Sequence, residues 1–241
     1  MLALYIMTQK EVILMLMNLT LLLLIPAIIL SLYAQFKVKS TFNKYLKVAS
    51  AKGANGAMVA QRILGNNGIH DVKVEISPGK LSDHYDPKSK KVRLSPEVYS
   101  GTSLASLGVA AHEVGHAIQH NNGYFPLELR STFVPVAQIG SSLSFPIIIL
   151  GLFMGNPTFL NAGIYLFAAV VLFQVITLPV EFNASSRAIG QLQAHGFIAP
   201  QEVKGVRKVL QAAALTYVAA AIAAILNLVR LLILSRIMGD D

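Results

Sequence analysis

The segment Leu107–His120, LGVAAHEVGHAIQH, holds three of the chain's six histidines at intervals of four, with Glu113 among them. Residues four apart share one face of an α-helix, about 6 Å apart along its axis. His112 and His116 can therefore direct two imidazoles at one zinc ion, with Zn–N bonds of roughly 2.0–2.1 Å. Glu113 stands about 100° further round the helix and need not ligate. It can reach a water held in the metal's open position. Zinc lowers the pKa of such a water toward about 7, and a carboxylate can take its proton as the water attacks a carbonyl. These are the mechanics of the H-E-x-x-H metallopeptidase motif. His120 does not belong to the ligand set: two turns from His112, it lies about 12 Å along the axis.

A third ligand must come from elsewhere in the chain. The candidates are His70, His84, Glu128, Glu181 and His195. Glu181 has the best chemical argument. It ends an apolar stretch just after Pro179, and an ionised group at a membrane boundary is costly unless paired, hydrated or metal-bound. The alternative is a solvated interfacial glutamate paired with Arg187.

The elements that position these groups are those of a membrane protein. The chain of 241 residues is 54% hydrophobic and 13% charged, and carries a net charge of +8. A soluble domain has about 25% charged residues. Four apolar stretches, starting near Val12, Phe133, Phe159 and Ala213, are each long enough to cross a bilayer core of roughly 30 Å. The first, running to about Leu32, is too long for a signal peptide and reads as a retained anchor. There is no cysteine, so disulfides, thiolate metal sites and cysteine nucleophiles are excluded. Lysine and arginine concentrate in residues 33–132 and 181–212. The positive-inside rule then places both regions in the cytoplasm and both termini outside. The basic charge reads as a topology signal and an attraction to anionic lipid, not as a nucleic-acid footprint.

The expected organisation is mainly α: about four transmembrane helices and a small α+β zincin-like cytoplasmic domain. Residues 1–33 are the N-terminal anchor, and 34–132 the cytoplasmic region with the HEVGH helix. Residues 133–180 are a transmembrane hairpin, 181–212 cytoplasmic helices with the third ligand, and 213–241 the last span and tail. Within the second of these, Asp71–Ser77 and Lys91–Ser95 read as short strands and PGKLSDHYDPKSKK between them as turn. A helix begins near Ser103, capped by Thr102 or Ser103, and stops at NNG. Residues 181–214 read as two helices joined by HGFIAP.

Three stretches in order, LSDHYDP…VRLSPEVY, AAHEVGHAIQH and PVEFNASSRAI, resemble the zinc metallopeptidases of the bacterial YugP family. The resemblance covers nearly the whole chain. A more distant likeness runs to membrane zinc proteases of the HtpX and CAAX prenyl protease types, which add a glutamate from a later E-x-x-x-D helix. The resemblance implies one catalytic zinc on His112, His116 and Glu181, with Glu113 as general base. The aspartate of the distant pattern is Ser185 here, and Asn183 is the nearest polar alternative for orienting a ligand histidine. His84 and Tyr85 are candidate donors to the transition-state oxyanion, and either short strand could pair with extended substrate. The expected partners are a peptide or protein substrate, membrane proteins among them, and the lipid bilayer. The rival readings are a scaffold with structural zinc and a transporter. Only Arg230 is charged within a span, which argues against the second.

Overall fold

The computed structural model describes residues 20–239. The first part of the expected N-terminal span, residues 12–19, lies outside them. Four long helices dominate: α1 (Ile25–Leu46, entered through a 3-10 turn at Leu22–Leu24), and later α5 (Phe125–Met154), α6 (Pro157–Ala194) and α7 (Val203–Gly239). All four are long and apolar enough to cross a membrane. The apolar groups on their surfaces, such as Ile29, Leu32, Phe153 and Tyr165, are exposed as lipid-facing side chains must be. Between α1 and α5 come α2 (Gly56–Asn66), β1 (Lys73–Ile76), β2 (His84–Asp86), β3 (Lys91–Leu94), α3 (Pro96–Tyr99) and α4 (Leu104–Asn121). The chain is therefore mainly helical with one small α+β element.

Contacts divide the described residues into two units. One takes 20–33, 130–176 and 218–239 and is wholly helical. Its α5–α6 hairpin turns at Gly155, whose φ of +58° suits glycine. Asn156 caps α6, accepting from the Thr158 amide at 2.9 Å. Ile148, Leu160, Ile164, Phe167 and Leu231 form its core.

The other unit takes 34–129 and 177–217. Its sheet has the order β1-β3-β2, with β1 parallel and β2 antiparallel to the central β3. Val92 and Leu94 of β3 are fully buried, while Lys91 and Arg93 alternate outward. They join Ile63, Val98, Leu107, Val114, Leu192 and Val206 in one core. Each such side chain contributes roughly 1.5–3 kcal/mol when buried.

Two sequence expectations change. The DHYDP segment is not simply turn: His84–Asp86 forms β2, pairing His84 with Arg93 and Tyr85 with Val92. The turn chemistry lies just after it. The Asp86 carboxylate accepts from the Lys88 and Ser89 amides and from the Ser89 hydroxyl, which holds it well below the usual carboxylate range. The third apolar segment and the helix after it are also one element. At 38 residues, α6 is about 57 Å long, nearly twice the hydrocarbon core. Gly196, at φ +65°, ends that run of chain. The HGFIAP joint falls between α6 and α7 as expected.

Candidate metal centre

Ser103 caps α4, its hydroxyl accepting from the Ser106 amide at 3.1 Å. The helix carries His112, Glu113 and His116 into the interior: Glu113 is 8% and His116 9% exposed. Helix α6 packs against it at close range. A Cβ on Gly115 would lie 2.7 Å from the Ala184 carbonyl oxygen, so only glycine at the fourth position of HEVGH permits the approach. That approach brings Glu181, 2% exposed, to the two histidines. Its Oε2 lies 3.2 Å from His112 Nε2 and 3.7 Å from His116 Nε2. All three donor atoms lie within 4.8 Å of one another. Ligands held roughly 2.0–2.2 Å from one tetrahedral zinc are about 3.3–3.6 Å apart; the two Glu181–histidine distances match that spacing, and two imidazoles with one carboxylate are a zinc donor set. The His112 and His116 rings meet edge to face, with centroids 4.8 Å apart; both turn their Nε2 atoms inward.

The outer nitrogens are also engaged. His112 Nδ1 stands 3.2 Å from the Ser185 hydroxyl, and His116 Nδ1 3.0 Å from Gln119 Oε1. Ser185, one helical turn after Glu181, thus meets a ligand histidine. Asn183 does not touch a ligand histidine; its Oδ1 accepts from Gln119 Nε2 at 2.9 Å and Arg187 Nε at 2.7 Å. Gln119 escaped the sequence reading, and nothing local flags it, because its other partners lie on α6.

The remaining candidates lie elsewhere. His70 and Glu128 are exposed. His195 bonds Asn66 and Gln191. His84 is exposed and donates from Nδ1 to the Ser82 carbonyl at 2.8 Å, while its Nε2 faces Arg93. His120, on the surface, is hydrogen-bonded through Nδ1 to the Tyr85 hydroxyl at 2.8 Å. Burial pushes the Tyr85 phenol up to about 12.

Strand β2 packs along α4. Asp83, just before it, accepts from the Ser95 amide at 2.7 Å and from the Ser95 hydroxyl. Burial raises the Asp83 carboxyl, the Ser95 hydrogen bonds oppose this, and the charge of Glu113 adds to the rise. Tyr85 of β2 reaches His120 on the last turn of α4. Because β3 is paired on both sides, it has no free edge for a substrate strand; β1 and β2, at the two ends of the sheet order, are the edge strands among the described residues.

Comparison with known proteins adds an independent line. A family model described as "Putative neutral zinc metallopeptidase" matches residues 20–236. A curated relative, described as "Putative membrane protease YugP" of Bacillus subtilis (strain 168), is 51% identical over 208 residues, covering 86% of this chain and 92% of the relative. No solved structure matches.

Proposed function

This chain belongs to the family described as "Putative neutral zinc metallopeptidase", and from that membership we propose that it is a membrane zinc endopeptidase. The observation that carries the reading is the buried convergence of His112, His116 and Glu181 beside an adjacent carboxylate, Glu113, that takes no place among them. His112, His116 and Glu181 would hold one zinc. When bound there, zinc would supply Lewis acidity toward a water and the scissile carbonyl. Glu113 accepts the proton of the attacking water and returns it to the leaving amine. Its burial keeps bulk water from competing for that proton. The free edge of β2 offers main-chain hydrogen bonds to an extended substrate lying along α4.

A structural zinc site would have four protein ligands, whereas a catalytic one keeps a position open. Zinc-edge X-ray absorption of the loaded protein is expected to show two imidazoles, one carboxylate and an oxygen donor displaced by a hydroxamate inhibitor. Four protein ligands, unchanged by the inhibitor, would make the zinc structural.

The site is proposed to face the cytoplasm close to the bilayer. Glu181 comes 24 residues after the start of α6, and a helix needs about 20 residues to cross a hydrocarbon core. The basic residues of 33–132 and 181–212 favour the inner side. Substrates near the membrane, including damaged or partly extracted membrane proteins, match such a position. The absence of cysteine makes the side testable. A Lys88→Cys variant, substituted on an exposed turn, is expected to react with an impermeant maleimide only in inside-out vesicles. Reaction in right-side-out vesicles alone would reverse the orientation.

A further inference from the structure

Gln119 is fully buried on the last turn of α4, with 0% exposure. Its carboxamide has one acceptor oxygen and two N–H donors, and all three have partners. Nε2 stands 2.8 Å from the Val180 carbonyl and 2.9 Å from Asn183 Oδ1. Oε1 faces His116 Nδ1 at 3.0 Å.

These contacts leave one consistent assignment. Arg187 donates from Nε to Asn183 at 2.7 Å, and a guanidinium only donates. The Asn183 atom it meets must therefore be the carbonyl oxygen. Val180 offers only a carbonyl as well. The Gln119 atom facing two acceptors must be the NH2 group, and its oxygen must face His116. An oxygen accepts, so His116 carries a proton on Nδ1. In the neutral ring, that placement leaves Nε2, which faces Glu181, as the nitrogen able to bind a metal. The same carboxamide ties α4 to α6 within one residue of Glu181.

We propose that Gln119 is a positioning residue: it fixes the metal-ready tautomer of His116 and the register of the two α4 histidines against Glu181. Arg187 and Asn183 set the orientation of Gln119 in turn. The proposal rests on the zinc reading of the site but requires no proteolysis to test. Loss of a hydrogen-bonded partner to a metal-ligating histidine costs about 10- to 100-fold in metal affinity.

The test uses the full-length chain in detergent and two readouts: zinc affinity by competition with a chromophoric chelator, and the protonated ring nitrogen of His116 in the zinc-free protein, from long-range 1H–15N correlation spectra at pH 8.5. Gln119→Met keeps length and volume but makes none of the three bonds. It is expected to weaken zinc about 10- to 100-fold and to release His116 from the Nδ1–H form. Asn183→Leu, one bond further from the metal, is expected to shift both readouts in the same direction by less, and it serves if Gln119→Met does not fold. Wild-type affinity in both variants would overturn the proposal. So would weaker zinc with an unchanged tautomer, because Gln119 would then act through packing alone. Failure of the wild-type chain to bind zinc would instead remove the zinc reading itself.

Discussion

Glu113→Gln is expected to keep its zinc and to lose peptide hydrolysis by about 10²- to 10⁴-fold, the usual contribution of a positioned general base. The two halves of this result have separate causes. Zinc is retained because Glu113 is outside the donor set of His112, His116 and Glu181. Catalysis is lost because a carboxamide has nearly the carboxylate's shape but cannot take up a proton. Glu113 is 8% exposed, so little bulk water is at hand to substitute as base. The loss should fall on kcat more than on KM, since the carboxylate acts on the water and not on the bound peptide. Zinc content by atomic absorption, measured on the sample used for kinetics, separates the two. A variant that cleaves as wild type does would remove the proposed general base.

Glu181→Gln is expected to give the converse: zinc weakened by more than about 100-fold, and activity lost with it. An outer partner of a metal ligand contributes up to about 100-fold, and Glu181 is assigned to the ligand set itself. It is the only anion in that set, so its replacement by a neutral amide removes the charge that offsets a divalent ion in a buried site. Chelator competition measures the effect. Wild-type affinity in this variant would show that the third ligand lies elsewhere. A large excess of zinc is expected to restore part of the activity of Glu181→Gln and none of that of Glu113→Gln.

These residues were legible in the sequence to different degrees, for physical reasons. His112 and His116 follow from helix geometry alone, because the i, i+4 spacing puts both imidazoles on one face. Glu181 could be singled out because a carboxylate at the end of an apolar stretch needs a partner; the structure brings it to 3.2 Å from His112. Ser185 meets His112 because a residue four after Glu181 projects from the same helix face. Gln119 was invisible: its role depends on Val180 and Asn183, which lie 61 and 64 positions away. Strand β2 was missed because three residues are too few to show alternation, and the aspartates flanking its core are turn-formers. Hydropathy revealed the long helices but not their ends. Once past the apolar stretch, α6 continues because Val180, Ala184, Ala188 and Leu192 recur every four residues and are fully buried on one helix face.

The most direct test of the account is internal cleavage by the zinc-loaded chain in lipid nanodiscs. The substrate would be a long unstructured polypeptide, with product ends read by mass spectrometry and the Glu113→Gln protein as the matched control. The account predicts new termini at interior peptide bonds with the wild-type chain, abolished by 1,10-phenanthroline and restored by zinc. No cleavage above the matched control, with zinc bound in both samples, would contradict it and leave the buried His112–His116–Glu181 cluster as a structural metal site.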